Sequence, residues 1–259
     1  ATAPTVISGF QTNRAKWMAS LLKSWWPGVA KEQGLEAAYA LLPKRENGAD
    51  YSHIPLFEAL YAGTIKGMIS WGQNPPVGGP NANLEAKAME NLEWYAAVDL
   101  WDTEAMNFWR RPGTNAKDVA TKVYSLPAAS SIEKAGSVAN SGRLAQYRWK
   151  AVEAPGEAES DLWICDQLMT RLKALYADDK NAPVREAITG VFWDYERDEN
   201  GEIDVDNIAL ECGGFTYPDD VKGTKDFWDK ARAKALTTFA NLKDDGSTAC
   251  CNWIYGGIY

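Results

Sequence analysis

Residues 71–81 read Trp-Gly-Gln-Asn-Pro-Pro-Val-Gly-Gly-Pro-Asn, directly after a short apolar run at 67–71 and ahead of a helical pattern that begins near residue 83. Glycine lets the backbone approach a bound group closely, and proline fixes its path. The amides of Gln73 and Asn74 can both donate and accept hydrogen bonds. Such a loop at the carboxyl end of a strand is where open α/β sheets bind nucleotides, and the same residues also suit an ordinary turn between strand and helix. Asp99, preceded by Val98, closes the next apolar run. A carboxylate there can grip a ribose hydroxyl, accept the two adjacent N–H groups of guanine, or cap a following helix. Lys134 comes after a third such run, where its ammonium can neutralise a phosphate or stay in water. Asp161 stands in the first turn of a long helical pattern, where the helix dipole favours an acid without any ligand. Glu133 with Arg143 reads as an internal ion pair fixing a turn.

Other chemistries are poorly supplied. There is no Gly-x-Gly-x-x-Gly and no Gly-x-x-x-x-Gly-Lys-Ser/Thr, so neither a standard dinucleotide fingerprint nor a phosphate-binding P-loop is present. The four cysteines, Cys165, Cys212, Cys250 and Cys251, include no Cys-x-x-Cys pair, and no metal site made by this chain alone is expected. Cys165 falls on an apolar stripe and reads as a small core residue. The neighbours Cys250 and Cys251 would pair only in a strained ring, so both are expected to be reduced. His53, the single histidine, reads as a cap or loop residue ahead of a helix, which leaves a hydrolase triad and a histidine-rich metal centre unsupported. Twelve tryptophans could suggest a carbohydrate platform, but most fall within helices or beside buried strands and read as core or interface.

The elements that must position these residues follow from periodicity. Residues 16–26 and 35–42 carry apolar and aromatic residues at helical spacing, each run stopped by a proline. From residue 67 strands and helices alternate: a strand at 67–71, a helix at 83–92, a strand at 94–98 ending in Asp99, a short helix capped by Asp102 or Thr103 through 109, and a strand at 122–126. Alternation implies parallel pairing with right-handed crossovers, so the three strand tips share one edge of a sheet. Residues 131–143 are turn-rich and 146–152 extended. A long helix is expected over 161–177, with Leu162, Cys165, Leu168, Met169, Leu172 and Leu175 on its buried side. Residues 178–223 read mostly as loop, and a last helix runs from 224 or 225 to about 241.

At 259 residues and 46% apolar composition the chain is globular, with one large or two small domains. A net charge of −8, with scattered basic residues, argues against non-specific nucleic-acid binding. No apolar run approaches the roughly 18 residues of a membrane helix. The opening Ala1-Thr-Ala-Pro4 and the apolar, aromatic close at 254–259 both read as cuts inside a longer polypeptide.

Several runs taken together carry a resemblance. These are residues 65–81, Ile-Lys-Gly-Met-Ile-Ser-Trp-Gly-Gln-Asn-Pro-Pro-Val-Gly-Gly-Pro-Asn; 98–104, Val-Asp-Leu-Trp-Asp-Thr-Glu; 108–113, Phe-Trp-Arg-Arg-Pro-Gly; and 126–130, Leu-Pro-Ala-Ala-Ser. To them add 133–143, Glu-Lys-Ala-Gly-Ser-Val-Ala-Asn-Ser-Gly-Arg; 154–157; 160–163; and 244–248. In order from about Asp50 onward, and only loosely before it, the chain resembles the catalytic subunit of respiratory formate dehydrogenases, in the molybdopterin oxidoreductase family. The resemblance implies a molybdenum or tungsten centre held by pterin guanine dinucleotides, which the family binds through loops at strand ends. Carried over by position, it makes Gln73, Asn74, Val98, Asp99, Lys134 and Asp161 cofactor-binding residues. It favours guanine or ribose recognition for Asp99 and a phosphate or pterin contact for Lys134.

The expectation is therefore an α/β fold, a partial parallel-sheet, Rossmann-like cofactor-binding domain with flanking helices, forming an incomplete segment of a larger subunit. Residues 1–63 would be a helical lead-in and 64–259 part of the molybdopterin guanine dinucleotide-binding domain. The family's iron–sulfur cysteines, metal ligand and catalytic His and Arg lie outside the matched stretch, so this chain alone should be unable to oxidise formate. The implied partners are the remainder of the catalytic subunit and an iron–sulfur electron-transfer subunit, without nucleic acid or direct membrane insertion, and the implied setting is periplasmic. Exposed apolar surface is expected where the rest of the subunit packs, with tryptophans among the contact residues. The rivals are a related molybdopterin oxidoreductase such as a nitrate reductase, and a non-catalytic, Trp-rich binding or assembly module.

Overall fold

In the computed structural model residues 9–259 are described, with side chains from residue 13. In chain order the elements are α1 (Gly9–Trp25), α2 (Pro27–Glu32), α3 (Leu35–Leu41), α4 (His53–Tyr61), β1 (Gly67–Trp71), α5 (Pro75–Gly78), α6 (Ala82–Met89), β2 (Trp94–Asp99) and β3 (Lys122–Pro127). There follow β4 (Gly136–Ala139), β5 (Ala145–Arg148), α7 (Asp161–Asp178), α8 (Arg185–Gly190), α9 (Val205–Gly213), β6 (Phe215–Thr216), α10 (Lys225–Ala233) and β7 (Thr248–Ala249). They divide into two compact units, each assembled from separated stretches.

One unit comprises residues 45–134 and 151–161 and is built on the parallel sheet β1-β2-β3. Tyr95 and Ala97 of β2 point to one face, where Phe57, Leu60, Ala88, Met89, Met106 and Phe108 bury them. The Ser70 and Tyr95 hydroxyls bond to each other on that face, which satisfies two polar groups that burial would otherwise penalise. Because the strands run in sequence order, right-handed crossovers put both connections on the same side of the sheet. The opposite side stays open, with Ile69 47% and Tyr124 52% exposed. Parallel sheets are ordinarily covered on both faces.

The other unit comprises the described residues up to 44, with 135–150 and 162–259. Leu210, Phe215, Phe227, Trp228, Ala231 and Ala249 form one of its apolar clusters. Beside the aromatic residues lies a buried ion pair of Lys222 with Glu211, completed by Lys222 Nζ to the Ser24 carbonyl (2.8 Å) and by Tyr195 Oη to Glu211 Oε2 (2.6 Å). These hydrogen bonds, with the Phe192 ring centroid 3.9 Å from Lys222 Nζ, are what let two charges remain in such a place.

Several sequence expectations are corrected. Residues 178–223 are mostly loop, as expected, but the stretch also holds α8, α9 and β6, and α9 is capped by Asp204, whose side chain accepts from Asp206 N (2.8 Å). No α-helix spans 102–109; the stretch is a turn ending in the 3-10 segment Phe108–Arg110. Asp102 is drawn to the Asn107 amide (2.5 Å), and the Ala105 N–H is taken by Asn74 from another loop (3.0 Å). α10 stops at Ala233, well short of 241, and Thr238 caps a separate 3-10 turn instead. The 131–143 stretch contains strand β4, which pairs antiparallel with β5. On α7 it is Ile164 and Asp166 that are buried. Cys165 is half-buried, and Leu168, Leu172 and Leu175 are exposed, Leu175 by 67%. Asp166 turns inward because Arg197 (2.8 Å) and the Trp193 indole (2.9 Å) both donate to it.

Candidate functional site

Register brings the strand tips together. Trp71 lies opposite Val98, Val98 opposite Leu126, and Asp99 opposite Pro127. Backbone bonds carry the ladder past the strands: Gly72 N to the Val98 carbonyl (2.8 Å), and Ala128 N to the Asp99 carbonyl (3.0 Å). Gly72 turns out of β1 with φ +59°, a conformation that glycine adopts without steric penalty. Residues 151–161 then return to the same edge, fastened by Glu159 N to the Pro127 carbonyl (3.2 Å) and Ala129 N to the Glu159 carbonyl (2.8 Å). This return delivers Asp161 to the end of the sheet.

There Asp161 accepts hydrogen bonds from the Trp71 indole (2.5 Å) and from the Lys134 ammonium, which also donates to the Ala129 carbonyl (2.8 Å). Lys134 is thus a knot between the β3 tip and the start of α7, not a solvated side chain. Burial acts to raise the Asp161 pKa, but the Lys134 and Trp71 hydrogen bonds outweigh it and hold the carboxyl below its ordinary range. Two of the three ammonium protons of Lys134 have partners within the protein, which leaves one for an incoming acceptor.

Asn74 is occupied internally. Its amide donates to Glu104 Oε2 (2.7 Å) and its oxygen accepts from Ala105 N (3.0 Å), so it fastens the loop after β1 to the turn after β2. The Asn74 hydrogen bond, ahead of other causes, lowers the Glu104 pKa. Val98 is buried beneath this edge, while Gln73 is exposed on the loop. Asp99 does not cap a helix, since none follows; its Oδ1 accepts from Leu100 N (2.7 Å). The expected Glu133–Arg143 pair is absent, because Glu133 accepts from Ser130 N (2.7 Å) and Arg143 donates to the Ile254 carbonyl (3.0 Å).

Sequence reasoning missed the supporting residues. Trp71 and Glu104 hold Asp161 and Asn74, and neither residue type signals such a role. Glu85 is buried under the same loop, where it accepts from Asn81 N (3.2 Å) and lies 3.1 Å from His53 Nε2, so His53 is tied to α6 from the first residue of α4. A Cβ at Gly79 would come 1.8 Å from Glu85 Oε2, so a larger residue there would have to displace the Glu85 carboxylate. Beside the loop an open cavity of about 550 Å³ is lined by Asn83, Glu104, Asn107, Phe108, Arg110 and Arg111, among others. Among the described residues no three His, Cys, Asp or Glu side chains cluster as metal ligands, and no helix is long and apolar enough to cross a membrane.

Sheet and site together define a mixed α/β segment organised around the carboxyl edge of a parallel sheet. No protein-family profile matches the chain. Individual relatives do. It is 38% identical over 251 residues to the formate dehydrogenase subunit alpha of Megalodesulfovibrio gigas, covering 96% of this chain and 24% of that one. To the formate dehydrogenase 2 subunit alpha (cytochrome c-553) of Nitratidesulfovibrio vulgaris it is 35% identical over 248 residues, covering 96% and 23%. To the assimilatory nitrate reductase catalytic subunit of Bacillus subtilis it is 32% identical over 155 residues, covering 57% and 20%. The chain belongs to the formate dehydrogenase alpha-subunit family, among the molybdopterin oxidoreductases, and spans about a quarter of the length of the formate dehydrogenase relatives it matches. At 96% coverage the similarity also takes in much of the first fifty residues, where the motifs alone were loose.

Proposed function

We propose that the carboxyl edge of β1, β2 and β3 helps to clasp a molybdopterin guanine dinucleotide within the catalytic subunit of a formate dehydrogenase. The observation that carries this reading is the gathering of Gln73, Asn74, Val98, Asp99, Lys134 and Asp161 at one sheet edge in a chain of this family. The donor set fits the group. Asp99 keeps one carboxylate oxygen clear of its own backbone bond and can accept from a guanine edge or a ribose hydroxyl. Lys134, anchored by Asp161, offers its remaining proton to a phosphate or pterin oxygen. Gln73 offers a free amide, Val98 backs the strand tip, and Asn74 holds the loop in shape.

The chemistry supplied by the bound group would be two-electron oxidation of formate to CO2 at molybdenum or tungsten. The part of this chain is to bind and orient: Asp99 fixes one end of the dinucleotide, and the Lys134–Asp161–Trp71 knot keeps the ammonium aimed at the sheet edge. The metal ligand, the iron–sulfur cluster and the route to an electron-transfer subunit belong to the remainder of the polypeptide and its partners, so this segment alone is inactive. A related enzyme, such as a nitrate reductase, is the second reading, favoured by the match over 57% of the chain to the Bacillus subtilis catalytic subunit. The metal-ligating residue outside this segment discriminates between the two.

The test is Asp99→Ala in the full-length parent subunit, with guanine nucleotide and metal measured per purified protein. Loss of a charged hydrogen bond of about 1.5–3 kcal/mol corresponds to roughly ten- to a hundredfold weaker retention. Unchanged guanine and metal content would remove Asp99 from the site.

A further inference from the structure

Three thiols meet at the end of α9 in a part of the fold that the cofactor reading does not use. Cys212 lies in the last turn of α9, and Cys250 and Cys251 follow β7 directly. The strap that continues from β7 is laid along the end of the helix by two backbone bonds, Cys251 N to the Glu211 carbonyl (3.0 Å) and Gly257 N to the Gly213 carbonyl (2.7 Å). This places the Cys212 and Cys251 sulfurs 3.3 Å apart, with both residues half-buried and all cysteines in the thiol state. Cys250 is different. It is fully buried, and its sulfur is directed at the Cys212 carbonyl (3.2 Å) and the Asn252 carbonyl (3.5 Å).

We propose that Cys212 and Cys251 are a redox-active dithiol that closes to a disulfide by exchange with a disulfide-bearing oxidant, either a small-molecule disulfide or an oxidised dithiol protein. One of the two, as thiolate, attacks a sulfur of the oxidant's disulfide; a mixed disulfide forms and one thiolate leaves. The other cysteine, deprotonated in turn, attacks the protein-side sulfur and expels the second thiolate. The pair loses two electrons and two protons, and the oxidant is reduced to two thiols that take up both. Closure from 3.3 Å to a bond of about 2.05 Å needs only a small side-chain movement, since the backbone bond between Cys251 and Glu211 already holds the two segments side by side. The Cys251 thiol is pushed up first by the Cys212 hydrogen bond and then by burial, so Cys251 is slow to ionise and its step in the exchange should quicken as pH rises. Burial pushes the Cys250 thiol up to about 12, which leaves it a bystander.

The bond would tie a strap that itself holds the β4–β5 hairpin. Arg143 donates to the Ile254 and Gly256 carbonyls, and the Ser137 and Tyr255 hydroxyls lie 3.1 Å apart. The disulfide would therefore fasten α9, the strap and the hairpin into one piece. Its formation is independent of whether the sheet edge binds a dinucleotide.

The test uses the full-length parent protein, purified anaerobically, treated with oxidised glutathione, alkylated at acid pH and mapped by mass spectrometry without reduction. The expected product is a peptide joining Cys212 to Cys251 that lacks two hydrogens and is split by a reductant, with Cys250 alkylated only after denaturation. Recovery of Cys212 and Cys251 as alkylated thiols after saturating oxidant would overturn the proposal, as would a link through Cys250. Cys250→Ser should leave the link intact and Cys251→Ser should abolish it; if either variant fails to fold, the map of the unaltered protein decides. Amide exchange over residues 250–257 and 136–148 should be roughly tenfold slower in the oxidised form. Equal exchange in the two forms would overturn the fastening role.

Discussion

Asp161 and Lys134 show how a polar knot sets the reach of an ammonium group. A lysine on a loop tip would ordinarily sample many rotamers, but here its side chain is 24% exposed and its ammonium is held by a carboxylate that the Trp71 indole also fixes. The folded carboxyl lies below its ordinary value, so its contribution is present above the unfolded pKa near 4 and is lost as pH falls through the folded value. Asp161→Asn should therefore destabilise the chain at neutral pH by about 1 kcal/mol, a small figure because the side chain is 42% exposed and its charge is screened. Urea unfolding of both forms at neutral pH and near pH 3 checks this: the gap should close on the acid side. A gap that persists there would mean that charge is not what Asp161 contributes.

Among the elements, the connection from β2 to β3 matters most to the site, because it carries Glu104 to Asn74 and covers one face of the sheet. It has little regular structure to stiffen it. Its anchor is Phe108, fully buried and set edge-on to Tyr95 with ring centroids 6.0 Å apart. Phe108→Ala should lower stability by about 3–5 kcal/mol, as large-to-small core changes do. Phe108→Leu should lower it much less, and chemical denaturation of the pair separates packing volume from ring geometry. A loss of under 1 kcal/mol for the alanine variant would show that the connection is held by its hydrogen bonds alone.

At the scale of the whole molecule the unpaired surfaces stand out. One face of the parallel sheet and the Leu168–Leu172–Leu175 stripe of α7 lie open, although both have the apolar make-up of covered surfaces. The formate dehydrogenase relatives are about four times as long as this chain. The isolated chain should accordingly bind an apolar-sensitive dye, and Ile69→Ser combined with Tyr124→Ser should cut that binding by about half or more. If the double variant binds as much dye as the parent chain, the sheet face is not the responsible surface.

Much of this was readable in the residues themselves. Short apolar runs placed β1, β2 and β3, and helical spacing placed α7, within a few residues. The expected alternation of strand and helix pointed to strand tips on one edge; the sheet is parallel, although no α-helix lies between β2 and β3. Others escaped: α9 lies within charged, Gly/Asp-rich sequence, β6 has only two residues, and β4 hides among turn-forming residues. Only the tertiary structure decided which groups are partners. Asn74 with Glu104, Lys134 with Asp161, and Cys212 with Cys251 are 30, 27 and 39 residues apart, and a side-chain contact at such separation depends on how loops return to an edge. Backbone periodicity carries no information about that return.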